Sequence, residues 1–426
     1  MGSQITLPPY EDVFQNWSLD PGMVFLNHGS FGACPTSVLQ AQQQHRDRVE
    51  ARPVRFYCHG IFEGLDRSRA AIASLTGGRP EDYVFLNNAT TAVATVLDNV
   101  SRGIGLADPN PLGPGDEILV NTLEYPACLN NIHRLAERTG ARVVTVDIPW
   151  IPADTQHTPD SIFEQIIAGV TDRTRFCLLS LIASPTGMVM PAKRLIAELR
   201  RRGVSTLLDA AHGPGAIELS IEDLGADFST SNCHKWLCSP KGAAILHVRP
   251  EHQAGFRPLC LSNSANAPAG TKGRSKFNLE FDYMGTDDVT ARLTIADAVE
   301  LVPKAAKLDW PGIIAHNRDL TLRGRDCVLE RLGTQKTAAD EMVGPLASVP
   351  LPQVEPALRE RLAARPTRYN DALQDALLER HSIQIPVWTS GPTRCLRLSA
   401  QVYNTIEQYR YLADALAEEL ERELSF

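Results

Sequence analysis

Short apolar segments alternate with amphipathic segments between residues 80 and 250, and this alternation is the main pattern in the chain. The apolar segments predict seven strands, at residues 83–87, 117–121, 142–146, 175–181, 204–209, 227–230 and 243–247. The amphipathic segments predict helices that include residues 91–100, 127–138 and 192–201. Alternating strands and helices are typical of a mostly parallel, doubly wound sheet. The short connection before the last strand favours an antiparallel position for it.

The second half of the chain has a different pattern. Residues 262–273 are rich in Asn, Ala, Pro, Gly and Ser and predict a long loop. Residues 288–332 are helical, with interruptions expected at Pro303 and Pro311, and an apolar strand (395–398) and a final amphipathic helix (405–424) follow. We therefore predict an α/β fold in three parts: an N-terminal segment (1–25) packed on the small domain, a large domain (26–287) with the parallel sheet, and a small α+β C-terminal domain (288–426).

Composition limits the compartments and partners that fit this chain. Of its 426 residues, 43% are hydrophobic and 22% charged, as in soluble globular proteins. The formal charge of −8 argues against nucleic-acid binding, and the most apolar stretch, residues 176–183, is too short to cross a membrane. The first residues lack signal-peptide features. Nine Cys without paired spacing predict reduced thiols in a cytoplasmic protein, without a metal site.

Two polar features follow predicted strands, where ligands collect in parallel sheets. The segment Asn88-Ala-Thr-Thr91 begins a helix, whose free N–H groups favour an anion. Taken alone, it also fits an ordinary helix cap. Asp209 closes an apolar strand, where a carboxylate is poorly solvated unless a cation pairs with it. Taken alone, it also fits a cap for the following turn.

A lysine supplies the third feature. Of 42 basic residues only eight are Lys, and none precedes Lys193, so few amine nucleophiles are available. Lys235 follows a strand beside Asn232 and His234, a setting that lowers the pKa of an amine and prepares it for Schiff-base formation. A surface turn is the ordinary alternative for a single Lys, and Lys241 is the one plausible rival.

The three features together describe one kind of site. A phosphate cradle at residues 88–91, a buried carboxylate at Asp209 and an amine at Lys235 are what pyridoxal 5′-phosphate needs for its phosphate, ring nitrogen and aldehyde. The combination predicts a pyridoxal phosphate site on a doubly wound sheet.

Eight short motifs carry a family resemblance, in order from residue 26 to residue 404. They are LNHGSFG (26–32), NATT (88–91), EY (124–125), SPTG (184–187), DAAH (209–212), NCHKW (232–236), GTD (285–287) and RLSAQVYN (397–404). With them the chain resembles fold-type-I pyridoxal phosphate enzymes of the class V aminotransferase and cysteine desulfurase group, and in particular the isopenicillin N epimerase-like branch.

The resemblance implies catalytic roles for several residues. Lys235 matches the lysine that binds the cofactor and moves the Cα proton, and Asp209 matches the partner of the ring nitrogen. Tyr125 matches the residue that stacks on the ring and can also act as an acid. His212 and Ser184 match positions beside the ring oxygen.

The resemblance also implies which residues bind the cofactor phosphate and how a neighbouring subunit takes part. The phosphate-binding positions match Thr90, Thr91, Asn232 and His234. Thr286 matches a threonine that reaches the phosphate of the neighbouring subunit. This match implies a homodimer with shared active sites.

A small amino acid is the implied substrate. Arg397 matches the arginine that holds its α-carboxylate, a role suited to a bidentate guanidinium. Asn27 and His28 lie in a Gly-rich loop that borders the substrate in this branch, although a tight turn explains them equally well. Arg55, with its neighbour Arg52, suits a distal substrate carboxylate or a solvated surface pair. Trp388 suits a pocket wall or the core.

The motifs leave the reaction open after the Cα proton is removed. We expect an isopenicillin N epimerase-like epimerase or racemase, with Tyr125 as the second acid. The alternative is a C–S β-lyase acting on a cysteine conjugate or its sulfoxide. Transamination is less favoured. A cysteine desulfurase is disfavoured because Cys395 lies on a predicted strand and Tyr125 replaces the desulfurase histidine, and a non-enzymatic module is disfavoured by the intact site.

Overall fold

The computed structural model describes residues 6–152, 156–390 and 393–425. The strands are β1 (Val24–Phe25), β2 (Tyr83–Leu86), β3 (Glu117–Asn121), β4 (Arg142–Val146), β5 (Thr174–Ser180), β6 (Ser205–Asp209), β7 (Phe228–Asn232), β8 (Ala244–Val248), β9 (Leu346–Pro350), β10 (Ile383–Gln384), β11 (Val387–Ser390) and β12 (Thr393–Ser399). The α-helices are α1 (His28–Phe31), α2 (Thr36–Ala51), α3 (Pro53–Arg55), α4 (Ile61–Thr76), α5 (Ala89–Val100), α6 (Pro126–Thr139), α7 (Pro159–Ala168), α8 (Ala192–Arg201), α9 (Ile221–Leu224), α10 (Lys276–Asp282), α11 (Thr290–Leu293), α12 (Ile295–Ala306), α13 (Trp310–Leu332), α14 (Pro356–Ala363), α15 (Ala372–His381) and α16 (Ile406–Leu424).

Seven strands form one mixed sheet in the order β2-β8-β7-β6-β5-β3-β4. The pairs from β7 through β4 are parallel, and β8 is antiparallel to both of its neighbours. All seven predicted strands are confirmed, with ends that move by one or two residues, and so is the antiparallel position of β8. Because the parallel strands point the same way, their carboxyl ends meet at one edge, where Asp209 ends β6.

Helices cover both faces of this sheet because successive strand residues point in opposite directions. On β6, Leu207 packs into the core cluster that includes α5 and α6, and Leu208 packs into the cluster that includes α7 and α8. Both side chains are fully buried. The sheet is therefore doubly wound, as predicted.

The C-terminal part contains a second, smaller sheet. Strands β11, β12 and β9 are antiparallel, and α13 and α16 share a core with them. The final helix begins after Thr405, whose capping box with Gln408 satisfies N–H groups at the helix start. Residues 262–273, predicted as a loop, contain two short 3₁₀ turns.

The expected interruption of a helix at Pro303 is wrong. Pro303 lies inside α12, near its end. A proline leaves the carbonyl four residues earlier without its helical partner, and here Trp310 donates its indole N–H to the Val299 carbonyl at 3.0 Å. The helix ends at Lys307, which has a left-handed conformation, and Pro311 lies in the first turn of α13 instead of interrupting a helix.

The N-terminal segment contacts the C-terminal half of the chain. The Glu11 N–H donates to the Tyr403 carbonyl, the Asn16 amide donates to the Ala305 carbonyl, and β1 pairs with β10. Helices α11 and α12 pack against α2 and α4. The three-part division of the chain stays a prediction, and residues 1–5 and 426, which belong to its outer parts, lie outside the described residues.

Candidate active site

Lys235 lies in the turn after β7 and lines a cavity at the carboxyl edge of the large sheet. Its Nζ is 2.9 Å from Nε2 of His212, and the Trp236 indole donates to Nδ1 of His212 at 3.1 Å. Because an indole N–H only donates, Nδ1 must accept, so neutral His212 carries its hydrogen on Nε2. The Nε2–H of His212 therefore donates to the neutral amine of Lys235, which accepts through its lone pair.

The electrostatics of the two residues agree with this arrangement. Burial lowers the pKa of Lys235 to about 8, with a further contribution from the Arg397 charge and opposition from Asp209. Burial, together with the Lys235 charge, also holds the pKa of His212 well below its usual range. Near neutral pH a usable fraction of Lys235 is thus an uncharged amine, which is the reactive form.

Asp209 ends β6, the strand beside β7, and is buried. Its Oδ1 accepts the Ala211 N–H at 2.9 Å, and its Oδ2 accepts the Cys128 thiol at 3.3 Å. Burial raises the pKa of Asp209, while both hydrogen bonds and the Lys235 charge oppose the rise. Among the described residues no cation forms an ion pair with Asp209, so the carboxylate is free to pair with a ligand.

The start of α5 is the part of the site that could hold an anion. Asn88 caps the helix by accepting the Thr91 N–H at 2.8 Å, and Asn232 accepts the Ala89 N–H at 2.9 Å. These bonds hold the turn after β7 against the positive end of the helix dipole. Nδ1 of His234 is buried here without a hydrogen-bond partner in the described part of the chain.

Arg397 lies on β12 and is buried. It donates to the Ser184 carbonyl and, at 3.0 Å, to the Ser30 hydroxyl, and its guanidinium lies 4.6 Å from the Trp388 ring centroid. Its Nε has no partner, and no carboxylate pairs with it within the described ranges. Burial lowers the pKa of Arg397 to about 9. A buried guanidinium without a counter-ion is costly, and a carboxylate ligand could pair with it.

One cavity of about 160 Å³ brings most of the predicted site residues together. The predicted residues in its wall are Thr90, Tyr125, Ser184, Asp209, His212, Asn232, His234 and Lys235. Tyr125 immediately precedes α6 and is 44% exposed, and it shares the wall with Ser184, whose carbonyl accepts a hydrogen bond from Arg397. The carboxylate, the amine and the anion-binding helix thus face a common space.

Six predicted residues are not in this wall: Arg397, which lies beside it, and Thr91, Asn27, Arg55, Thr286 and His28. Thr91 is turned toward Asn88, to which its hydroxyl donates at 3.0 Å. Asn27 accepts the Ser30 hydroxyl at 2.5 Å and so supports the contact between Ser30 and Arg397. Arg55 lines a separate open groove together with Arg48, Arg52 and Arg67, and Thr286 is exposed, with its hydroxyl 2.7 Å from Tyr283 Oη.

His28 is also absent from the wall, because it lies behind the lysine turn. Its Nδ1 is 2.8 Å from Tyr403 Oη, and its Nε2 is 3.1 Å from the Lys235 carbonyl oxygen. The backbone of Gly32 passes so close to this turn that a Cβ would collide with the His234 carbonyl, and its φ of 69° also requires glycine. The Gly-rich loop therefore supports the turn that carries Lys235.

Sequence reasoning missed two buried side chains in this region. Cys128 contacts Asp209, and Glu124 accepts hydrogen bonds from Asn121 and from the Ser180 N–H and hydroxyl. Burial raises the pKa of Glu124 to about 8. These bonds tie the turn that carries Tyr125 to the end of β5. Their positions in the sequence could have indicated them, because both lie within three residues of Tyr125, just after β3.

The residues present fit pyridoxal phosphate. The neutral amine of Lys235 suits an aldehyde, and Asp209 suits a protonated ring nitrogen. Nδ1 of His234 and the first turn of α5 suit the phosphate. Each unsatisfied group in the cavity thus has a counterpart on the cofactor.

Comparison with known proteins gives the same answer. A family model described as aminotransferase class-V matches residues 25–412. The chain belongs to the class-V aminotransferase family. This membership confirms the predicted family, the predicted enzyme class and the predicted cofactor, pyridoxal 5′-phosphate.

Curated relatives have two kinds of name. The isopenicillin N epimerase of Streptomyces clavuligerus is 30% identical over 96% of this chain and 97% of its own length. That of Amycolatopsis lactamdurans is 31% identical over 94% and 96%. The L-cysteine desulfhydrase of Arabidopsis thaliana is 27% identical over 93% and 88%.

Solved structures share the fold. The Escherichia coli cysteine desulfurase CsdA has a TM-score of 0.73 at 21% identity and covers 96% of this chain and 97% of its own. The cystine C–S lyase C-DES has a TM-score of 0.74 at 20% identity, with 93% and 97% covered. These similarities confirm the predicted fold class. Within the described residues, no helix has the length and apolar character needed to span a membrane.

Proposed function

We propose that this class-V enzyme acts at the α-carbon of a small amino acid whose α-carboxylate binds Arg397. The observation that carries this proposal is the buried guanidinium of Arg397, which lacks a carboxylate partner among the described residues and lies beside the wall that holds Lys235. An α-amino acid offers both groups that such a site lacks: a carboxylate for Arg397 and an amino group that can exchange with Lys235.

Three side chains of the protein have separate roles in removing the Cα proton. Pyridoxal phosphate, when bound, supplies an electron sink for the negative charge that develops at Cα. Asp209 would keep the ring nitrogen of the cofactor protonated. His212 orients the amine of Lys235 through Nε2. Lys235, with its pKa lowered to about 8, removes the Cα proton as a general base.

Epimerisation is the first candidate for the reaction that follows. It requires a second group to deliver a proton, and Tyr125 is available because it comes from the start of α6 instead of from the turn that carries Lys235. Tyr125 also shares the cavity wall with Ser184, whose carbonyl accepts a hydrogen bond from Arg397, and this supports a position near a bound amino acid. The epimerase names of two relatives agree with this assignment.

Elimination of a sulfur group from Cβ is the second candidate. A relative named L-cysteine desulfhydrase agrees with this reaction. Tyr125 would here donate a proton to the leaving sulfur.

An assay in deuterated water with a panel of amino acids separates these reactions. Deuterium at Cα with loss of chirality would support epimerisation, and pyruvate with ammonia from S-substituted cysteines would support elimination. Amino transfer that depends on a keto acid, without either of the other products, would overturn both assignments.

We also propose a homodimer in which Thr286 reaches the cofactor phosphate of the partner subunit. Support comes from its exposure on the surface of the chain, away from the chain's own cavity. Hybrid dimers of Lys235→Ala and Thr286→Ala chains test it. In a hybrid, one site has both defects and the other has neither, so mixing two impaired variants should restore activity. No recovery in dimers shown to be hybrid would contradict the shared site.

A further inference from the structure

Cys128 lies in the first turn of α6 and is almost completely buried. Its Sγ is 3.3 Å from Oδ2 of Asp209, and the opposite oxygen, Oδ1, accepts the Ala211 N–H at 2.9 Å. Within the described chain these are the two hydrogen bonds to the carboxylate. One of the two donors that hold Asp209 is therefore a thiol from a helix that belongs to another part of the chain.

The thiol must be the donor in this contact. A carboxylate accepts hydrogen bonds, and a thiol gives one through its S–H. Burial, together with the negative charge of Asp209, raises the pKa of Cys128 far above its usual range, so the S–H persists. The thiol thus favours the ionised carboxylate, which burial alone would disfavour.

The groups around Asp209 make this contribution significant. Glu124, on the turn before α6, interacts unfavourably with the Asp209 charge, and Lys235, on the turn after β7, interacts favourably. Neutral His212 adds no charge of its own. With a carboxyl on one side and a partly neutral amine on the other, the local donors decide whether Asp209 stays ionised and which way it points.

We propose that Cys128 is a positioning residue that acts through Asp209, where its thiol orients the carboxylate toward the ring nitrogen of the cofactor and keeps it ionised. This role concerns the binding of the cofactor and applies to epimerisation and elimination alike. If the role of Cys128 is refuted, the proposed reaction is therefore unaffected. If the reaction assignment is refuted, the role of Cys128 is likewise unaffected.

The test compares variants of Cys128 that keep or lose the donor. Cys128→Ser keeps a hydroxyl donor of similar size, and Cys128→Ala removes it. Cys177→Ala is the matched control, because Cys177 is a buried thiol on β5 whose contact is the Leu178 carbonyl at 3.6 Å and not Asp209. The readouts are the dissociation constant of pyridoxal phosphate from the apoenzyme and the visible circular dichroism of the bound cofactor, which reports its orientation.

We expect Cys128→Ala to weaken cofactor binding about tenfold, as the loss of one hydrogen bond to a charged group would, and to change the dichroism. Cys128→Ser and Cys177→Ala should stay close to the wild type in both readouts. Wild-type binding in Cys128→Ala would overturn the proposal, and so would a Ser variant as weak as the Ala variant, since packing would then explain both.

If Cys128→Ala does not fold, Cys128→Thr and Cys128→Val replace the pair, because they share a shape and differ in the hydroxyl. Equal binding by these two would overturn the proposal in the same way.

Discussion

Replacing Arg397 by methionine should make the protein more stable and nearly inactive. Burial lowers the pKa of Arg397 to about 9. Since one pKa unit corresponds to about 1.4 kcal/mol, holding this guanidinium charged costs the fold roughly 5 kcal/mol at most. Because the folded-state pKa lies below the unfolded-state value, the cost applies fully below pH 9 and declines as the pH rises above it. Methionine has a similar length and no charge.

Two opposite effects of Arg397→Met are therefore expected. The free energy of unfolding of the apoenzyme at pH 7 should rise by about 1–4 kcal/mol, as when buried charges are replaced by apolar groups. The value of kcat/KM should fall about 10²–10⁴-fold, since two charge-assisted hydrogen bonds to the substrate carboxylate are lost. Denaturant unfolding and steady-state kinetics measure the two effects, and the bound cofactor should keep its absorbance.

Arg394 is the matched control, because it lies on the same strand and is also buried but has counter-ions. It pairs with Asp371 and Glu423, both at 2.8 Å. Arg394→Met should destabilise the protein by about 3–5 kcal/mol, because within the described ranges it leaves Asp371 without a cation and leaves Glu423 with Arg365 alone. Equal destabilisation by the two substitutions would refute the reasoning, and so would wild-type affinity for amino acids in Arg397→Met.

Three further predictions concern the reacting groups. Lys235→Ala should abolish covalent retention of the cofactor and all Cα deuterium exchange while the circular dichroism of the backbone stays unchanged; exchange by this variant would exclude Lys235 as the base. The rate of Cα exchange should rise with pH through about 8, because Lys235 acts as the neutral amine and its pKa is lowered to about that value, and a flat profile from pH 6 to 9 would contradict this. Tyr125→Phe should keep the cofactor absorbance and slow product formation about 10²-fold, and an unchanged rate would remove Tyr125 as the acid.

Sequence reasoning predicted the centre of the candidate site because local patterns in the chain indicate it. Asp209 and Lys235 follow strands whose burial pattern is readable, and parallel strands bring their carboxyl ends to one edge. Asn88 precedes a periodic helix and is a good cap, and the structure shows it in that position. These residues needed no knowledge of distant contacts.

Contacts between distant parts of the chain account for the rest. His28 is bound by Tyr403, which is 375 positions away, and this contact, through which the loop also supports the lysine turn, has no local sign in the sequence. Cys128 and Asp209 are 81 positions apart, and a single cysteine in a helix carries no local sign of its partner. Pro303 reads as a helix break because the indole of Trp310 cannot be anticipated from periodicity.

The unsatisfied groups of the cavity define its ligands better than its shape does. A fold that evolved for stability alone would pair Arg397 as it pairs Arg394 and would give His234 Nδ1 a partner. Instead Asp209 and His234 line one small space, and the buried cation of Arg397 lies beside it, in contact with the Ser184 carbonyl. A phosphate, a protonated ring nitrogen and an α-carboxylate would satisfy all three at once. Burying these unpaired groups thus lowers the stability of the fold, and a cofactor and an amino acid together would offset this loss. Arg397→Met should remove the part of the loss that comes from the guanidinium, without any ligand.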